Sequence, residues 1–305
     1  PFLRLDLQPA PWLSFNYFHG WLASVQVDSS RSYLLADGRL RKVFRDKYMA
    51  SHSITLRPFR GFNFSIGESM VYSDRLELAY LMPLNFYRLT DHLVSDRDNS
   101  AGDNAQFFFA FSSRDHVPNT HLFLDFLLDD IRVSEVFNPD EAVNSFAWTI
   151  GASTTDPGID NLTLSGEYSR VNPFVYQHFI PAAEYTSSNY RLGHWIGNNS
   201  DSWFGKIHYR VRRGLQAEIW GRRIRNGDEG TTVQQYQLPR PGFLSDDLSA
   251  YFRRSEWGIE VKYEIAHLLF ARFRFESTTD LEVFPNADGI QFSANRVNVA
   301  LYYGR

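Results

Sequence analysis

The chain has 305 residues, 43% of them hydrophobic and 16% aromatic, with a formal net charge of −4 and no cysteine. It contains no apolar run of about 18 residues, which excludes a helical membrane protein, and the missing cysteines exclude a disulfide framework and thiolate chemistry. Of 31 basic residues only Lys42, Lys47, Lys206 and Lys262 are lysines, a bias that favours fixed Arg–carboxylate networks and leaves no basic footprint for nucleic acid.

The first residues, from Pro1, carry neither a charged n-region nor an apolar h-region, so any secretory signal is expected to be removed or to lie upstream. A period-2 rhythm begins at once with Leu3, Leu5 and Leu7, and continues through Leu13 to Val27 and through Phe62, Phe64 and Ile66. Between Leu76 and Val94 the rhythm stops, and this segment, broken at Pro83, reads as a short helix or irregular insert. Alternation returns in Phe107, Phe109, Phe111 and in Leu122, Leu124, Phe126, Leu128. A second departure, Asn172 to Ser202, is rich in Pro, Asn, Gly and His. Beyond it, Ile207, Tyr209 and Val211 face away from Lys206, His208 and Arg210, and the Arg213-Gly214 turn joins this strand to Leu215, Ala217 and Ile219 as a hairpin. From Trp257 to Ile265 the split between apolar and polar faces is complete. Leu269 to Glu276 and Arg296 to Tyr303 repeat it.

Alternation alone also describes a soluble β-sandwich, whose polar face meets water in place of a lumen. The Arg bias, the absent Cys and strands running from end to end favour an all-β fold: a closed antiparallel transmembrane β-barrel. At about 15–20 residues per strand and turn, roughly 14–18 strands fit in a single domain spanning the chain. The inserts near 76–94 and 172–202 and the abundant arginines are expected to fill the lumen.

Polar clusters occur at Glu68, at Asp103 and Asn104, at Asp129 and Asp130, and at Glu167 and Arg170. Paired acids serve sugar hydrolysis or calcium binding. No spacing here matches a nucleophile elbow, a zincin helix, a calcium loop or a phosphate-binding Gly loop, so no catalytic residue and no cofactor is expected. The acids read instead as partners of inward-pointing arginines. His178 and His194 lack a third ligand at a recognisable spacing, and no metal is expected. Tyr176, Trp195, Trp203 and Tyr209 suit either stacking on sugar rings or a girdle at the membrane interface.

The run IGESMVYSDRLELAYLMPLNFY, with Gly67, Glu68, Tyr72, Glu77, Tyr80, Pro83 and Phe86, resembles a segment of the Wzi-type capsule assembly family. Asp103-Asn104, LDFLLDDI, GEYSRVNPFVYQH and RLGHWIGNNSD follow in the same order, and together the pieces cover residues 40 to 230. This resemblance implies a largely plugged barrel in the bacterial outer membrane that binds or anchors capsular polysaccharide without catalysis. Its partners would be lipid, surface polysaccharide and other envelope proteins. Glu68, Asp103, Asn104, Asp129, Asp130, Glu167 and Arg170 would be lumenal polar contacts that order the inserts, and Tyr176, His178, His194 and Trp195 would lie near the glycan. The alternatives are a diffusion channel whose selectivity the inward charges set, a structural subunit of a larger envelope complex, and, last, a surface glycan hydrolase.

Overall fold

A computed structural model describes residues 1–98, 102–130, 145–235, 242–244, 250–283 and 289–304. Alternating apolar and polar residues, many of them β-branched or aromatic, place most of these in strands. In chain order they are β1 (Phe2–Ala10), β2 (Leu13–Leu22), β3 (Val27–Leu34), β4 (Leu40–Phe44), β5 (Lys47–Leu56), β6 (Phe62–Ser73), β7 (Asn104–Arg114), β8 (Thr120–Asp130) and β9 (Ser145–Thr155). There follow β10 (Leu162–Val171), β11 (Thr186–Ser187), β12 (Tyr190–Arg191), β13 (Ser200–Arg212), β14 (Leu215–Gly227), β15 (Ala250–Ala266), β16 (Leu269–Glu282) and β17 (Ile290–Tyr303).

Thirteen of these strands form one sheet in the order β1-β2-β5-β6-β7-β8-β9-β10-β13-β14-β15-β16-β17, and the other four pair as the hairpins β3-β4 and β11-β12. Every pairing is antiparallel. Among the described residues the wall thus has thirteen strands against the roughly 14–18 expected, and the four remaining strands lie in hairpins outside it. One end of the wall has only short turns, of two to six residues, at 11–12, 57–61, 115–119, 156–161, 213–214 and 267–268. The two-residue turn at Arg213-Gly214 needs a left-handed residue, and Gly214 supplies it with φ of 79°. The opposite end carries the long connections, including 23–46, 74–103 and 172–199. Short turns on one side and long loops on the other are the arrangement of outer-membrane barrels.

Register separates the two faces. Leu164, Ile207, Ile219, Ile259, Phe275 and Val297 stand opposite one another in a single row. One residue along each strand, the row reads Thr163, His208, Glu218, Glu260, Arg274 and Asn298. Among the described residues the apolar face carries no second layer over β13–β17, and its Ile207, Ile219, Phe273, Val297 and Val299 are exposed. Aromatic residues bound it: Tyr209, Tyr263 and Tyr303 near the short turns, and Trp148, Tyr168 and Trp203 toward the long loops, with ring centroids 4.9 and 4.2 Å apart along the latter series. An apolar band between two aromatic girdles is a lipid-facing surface. The protein is an outer-membrane β-barrel whose polar face is the lumen.

The two inserts go to opposite faces. Residues 172–199 pack on the polar side, against Ala147 and Val171. The segment 76–94, expected to narrow the lumen, lies on the apolar side, because its Tyr80 and Tyr87 pack with Phe15, Tyr17, Ala50 and Met70. Those residues share the register face of Ile54 and Ile66.

Packing between strands is tight where Gly67 meets Phe108. A Cβ on Gly67 would come within 2.4 Å of both the Phe108 ring and the His52 carbonyl, whereas one on Gly205 has open space around it. Gly67→Ala is therefore expected to destabilise the barrel by about 1–3 kcal/mol. Gly205→Ala should be close to neutral. The urea midpoint for loss of the fast-migrating, unheated gel band checks both.

Candidate functional site

Residues 172–199 cannot continue a strand. Pro173 and Pro181 remove ladder donors, and Phe174 and Tyr176 adopt positive φ of 66° and 73°. The segment becomes a strap held down by side chains of the wall. The Asp129 carboxylate accepts the Tyr176 amide at 2.8 Å and the Gln106 side-chain amide at 2.6 Å. The Tyr176 hydroxyl in turn accepts the His194 amide at 3.0 Å, while Gly193 lies so close to the Tyr176 ring that no Cβ fits. Burial raises the Tyr176 phenol to about 12 and lowers the His194 imidazole, so both are neutral and structural near neutral pH.

The strap runs along the inside of the wall. At one end the Asn104 amide donates to the Ala183 carbonyl at 3.0 Å, the Lys47 ammonium to the Glu184 carbonyl at 2.6 Å, and the Ser188 amide to the Ala23 carbonyl at 2.6 Å. At the other, the Asn226 amide donates to the Ile196 carbonyl at 2.6 Å, and Arg191 forms an ion pair with Glu229. Tyr190, Leu192 and Trp195 remain exposed on it, and the Trp195 ring lies 5.2 Å from the Arg222 guanidinium of β14.

Next to the strap stands a charged wall. Lys206 pairs with Glu218 at 3.4 Å, Arg222 with Glu256 at 3.9 Å, Arg254 with Asp280 at 2.8 Å and Arg274 with Glu260 at 3.5 Å. The side chains of Lys206, Arg254 and Arg274 keep 35%, 38% and 39% of their surface accessible, so among the described residues no second layer covers them. The expected filled lumen is thus only partly filled: the strap lies over β5–β10 and touches β14, and the ion-paired face of β13–β16 stays open to solvent.

The sequence-predicted residues divide into groups. Asp103, Asn104, Asp129 and His178 line a cavity of about 180 Å³ at the long-loop end, together with Gln177 and Gln235. Arg170, Tyr176 and His194 border a second cavity of about 300 Å³ between strap and wall, with Asp125 and Thr149. The His178 ring nitrogen accepts the Ile180 amide at 3.2 Å. Arg170 bonds Asn172 at 2.9 Å and stacks on Phe243 at 3.8 Å, while its register partners Trp148 and Asp201 place it with the rim of the apolar face. Glu167 is on the polar face opposite Gly151 and Phe204. Glu68 is on the apolar face, buried, and its carboxylate accepts the amides of Tyr87 and Arg88. It is therefore not a lumenal contact. Asp130 ends β8, and its side chain lies outside the described residues. Trp203 and Tyr209 belong to the lipid-facing girdles. Among the described residues no three His, Asp or Glu side chains converge as a metal site. Sequence reasoning missed Lys47 as a tether, although its rarity as one of four lysines was a signal, and it read the charged wall only as a polar face.

No protein-family model matches the chain, and no curated protein matches it. Among solved structures it is similar to the outer membrane protein OprD from Pseudomonas aeruginosa, at 13% identity and a TM-score of 0.44 over 98% of this chain and 68% of that one. It is similar to OccD3 (OpdP) of the same organism at 9% identity and a TM-score of 0.45, over 98% of this chain and 67% of that one. For OccAB4 from Acinetobacter baumannii the values are 9% and 0.44, over 98% of this chain, which spans 64% of that protein's length. The capsule-assembly resemblance is corrected: these structures are not capsule-assembly proteins, and no family model or curated relative supports the kinship. Polysaccharide anchoring falls with it, and polysaccharide and envelope-protein partners have no support, whereas outer-membrane lipid does. The residues behind that resemblance have local tasks. Glu68 binds the amides of the 76–94 segment, Asp103 accepts the Tyr80 hydroxyl at 3.0 Å, and Asp129 fixes the strap.

Two outcomes are expected. Asp129→Ala leaves the Tyr176 and Gln106 donors without this acceptor, at a cost of about 1–3 kcal/mol, and should speed cleavage of the strap in limited proteolysis. Burial and then Asp91 push the Asp103 carboxyl up to about 7. A group raised in the folded state contributes stability that is full at low pH and lost as pH rises through its folded pKa. Hydrogen-exchange protection of the Tyr80 amide should therefore fall between about pH 4 and about pH 7, and Asp103→Asn should flatten the dependence.

Proposed function

We propose that this barrel is a non-catalytic diffusion channel for small hydrophilic solutes, with the strap 172–199 forming one side of its constriction and the charged face of β13–β16 the other. The observation that carries this reading is the partial solvent exposure of the ion-paired wall. Charges placed in a packed interior lose their hydration and must be fully bonded, so accessible pairs mark a water-filled passage. The strap's tethers at both ends hold the opening at a set width, and Trp195 beside Arg222 marks where strap and wall approach each other. Alternating cations and anions along β14–β16 hold water and guide polar solutes while giving an apolar solute no surface to bind.

Purified, heat-modifiable protein in a planar bilayer should show stepwise conductance. Replacing residues 186–195 by a short Gly-Ser link should widen the passage and raise the single-channel conductance several-fold. Folded protein that stays silent across the bilayer would sink this reading.

A further inference from the structure

The segment 76–94 is built with its apolar residues turned away from the protein. In the helix α1 (Tyr87–Asp98), Tyr87 is fully buried and Asp91 is 3% exposed. Leu89 and Leu93, one turn apart, with Phe86 just before the helix, are 56%, 65% and 52% exposed. Upstream, Leu78, Met82 and Leu84 are 70%, 61% and 84% exposed. In water an amphipathic helix does the reverse, burying its apolar stripe and solvating its acids.

The position of this segment on the wall accounts for the inversion. Beneath it, the apolar-facing side of the sheet carries Tyr17, His52 and Glu68, opposite one another in β2, β5 and β6. The Glu68 carboxylate takes the Tyr87 and Arg88 amides, the His52 ring nitrogen lies 3.4 Å from that carboxylate, and the Tyr17 hydroxyl donates to the Tyr80 carbonyl at 3.2 Å. Glu68 is the seventh residue of β6 counted from its short turn, and the seventh of β16 is the lipid-facing Phe275. Six steps of about 3.3 Å, reduced by a strand tilt of about 40°, give a height of roughly 15 Å, inside an apolar band of about 25 Å. Bare lipid-facing residues on β6 are therefore only Phe62, Phe64 and Ile66, and above them the same face carries Glu68, Met70 and Tyr72, all buried under the insert. The Phe86 ring lies 5.9 Å from Phe107 of the same outer face, so the insert continues the apolar surface without a break.

From this inversion, depth and continuity we propose that residues 76–93 form an external lipid-facing patch, whose Leu78, Met82, Leu84, Phe86, Leu89 and Leu93 contact acyl chains of the leaflet on the long-loop side. The insert shields Tyr17, His52 and Glu68 from those chains and replaces the lipid-facing surface that β2, β5 and β6 do not supply. It rests on the barrel assignment and is independent of whether the lumen conducts.

Because the chain has no cysteine, single nitroxide labels at Leu84→Cys, Leu89→Cys and Leu93→Cys test it in reconstituted bilayers, after unheated gel migration shows each variant folded. Val299→Cys serves as the lipid-facing reference and Asp37→Cys as the water-facing one. Labels at 84, 89 and 93 should resemble the Val299 label, with oxygen relaxing them several-fold more effectively than a water-soluble nickel chelate. Chelate access equal to that of the Asp37 label overturns the proposal. So does spin–spin broadening that marks a second copy of the chain as the covering surface.

Discussion

Within a bilayer no water reaches the backbone, so each amide and carbonyl in the hydrocarbon layer needs a partner inside the protein. The antiparallel ladder of thirteen strands meets that demand locally, strand by strand. Its consequence is that every residue is committed to one of two faces, and a shift of one position would exchange lipid for lumen along the whole strand. Ile219 and Glu218, adjacent in sequence, thereby meet opposite environments.

This commitment explains how the two inserts differ. The strap attaches to residues on the polar face, through Asn104, Asp129 and Lys47, and is drawn into the lumen. The 76–94 segment attaches to Glu68 and Tyr17 on the other face and is held outside. In each case a buried polar side chain accepts or donates to the insert's backbone, supplying the bonds that an irregular segment cannot make for itself. The insert's position is decided by which strand residue presents the bond.

The charged wall answers a related need. Arg254 with Asp280, and Lys206 with Glu218, are cross-strand neighbours, so their pairing costs little ordering beyond what the sheet imposes. Contact with solvent avoids the desolvation penalty of a packed ion pair. In the proposed channel the same arrangement keeps the passage hydrated. There the strap narrows the passage without sealing it, because its tethers cross to the β5 side and to β14 and, among the described residues, leave β15 and β16 uncovered.

Much of this was legible in the chain itself. Alternation in β13 to β17, the Arg213-Gly214 hairpin and the two departures from period 2 determined an all-β chain and favoured a barrel, because period and side-chain polarity are local properties. The outer-membrane location was read from the capsule-assembly resemblance, and the register of the two faces is what carries it in the structure. Which face an insert covers was not legible. Tyr17, His52 and Glu68 break the apolar pattern of β2, β5 and β6, and a sequence shows only the break. The register that sets them opposite one another, and the chain from Tyr80 to Arg88 that covers them, exist only after distant segments have met. For the same reason the acids expected to order the inserts could not be matched to their donors: the Asp129 carboxylate takes the Tyr176 amide, 47 residues away, and the Asp103 carboxylate takes the Tyr80 hydroxyl, 23 residues away. A carboxylate's partner is decided by proximity in space, and only the tertiary structure sets that.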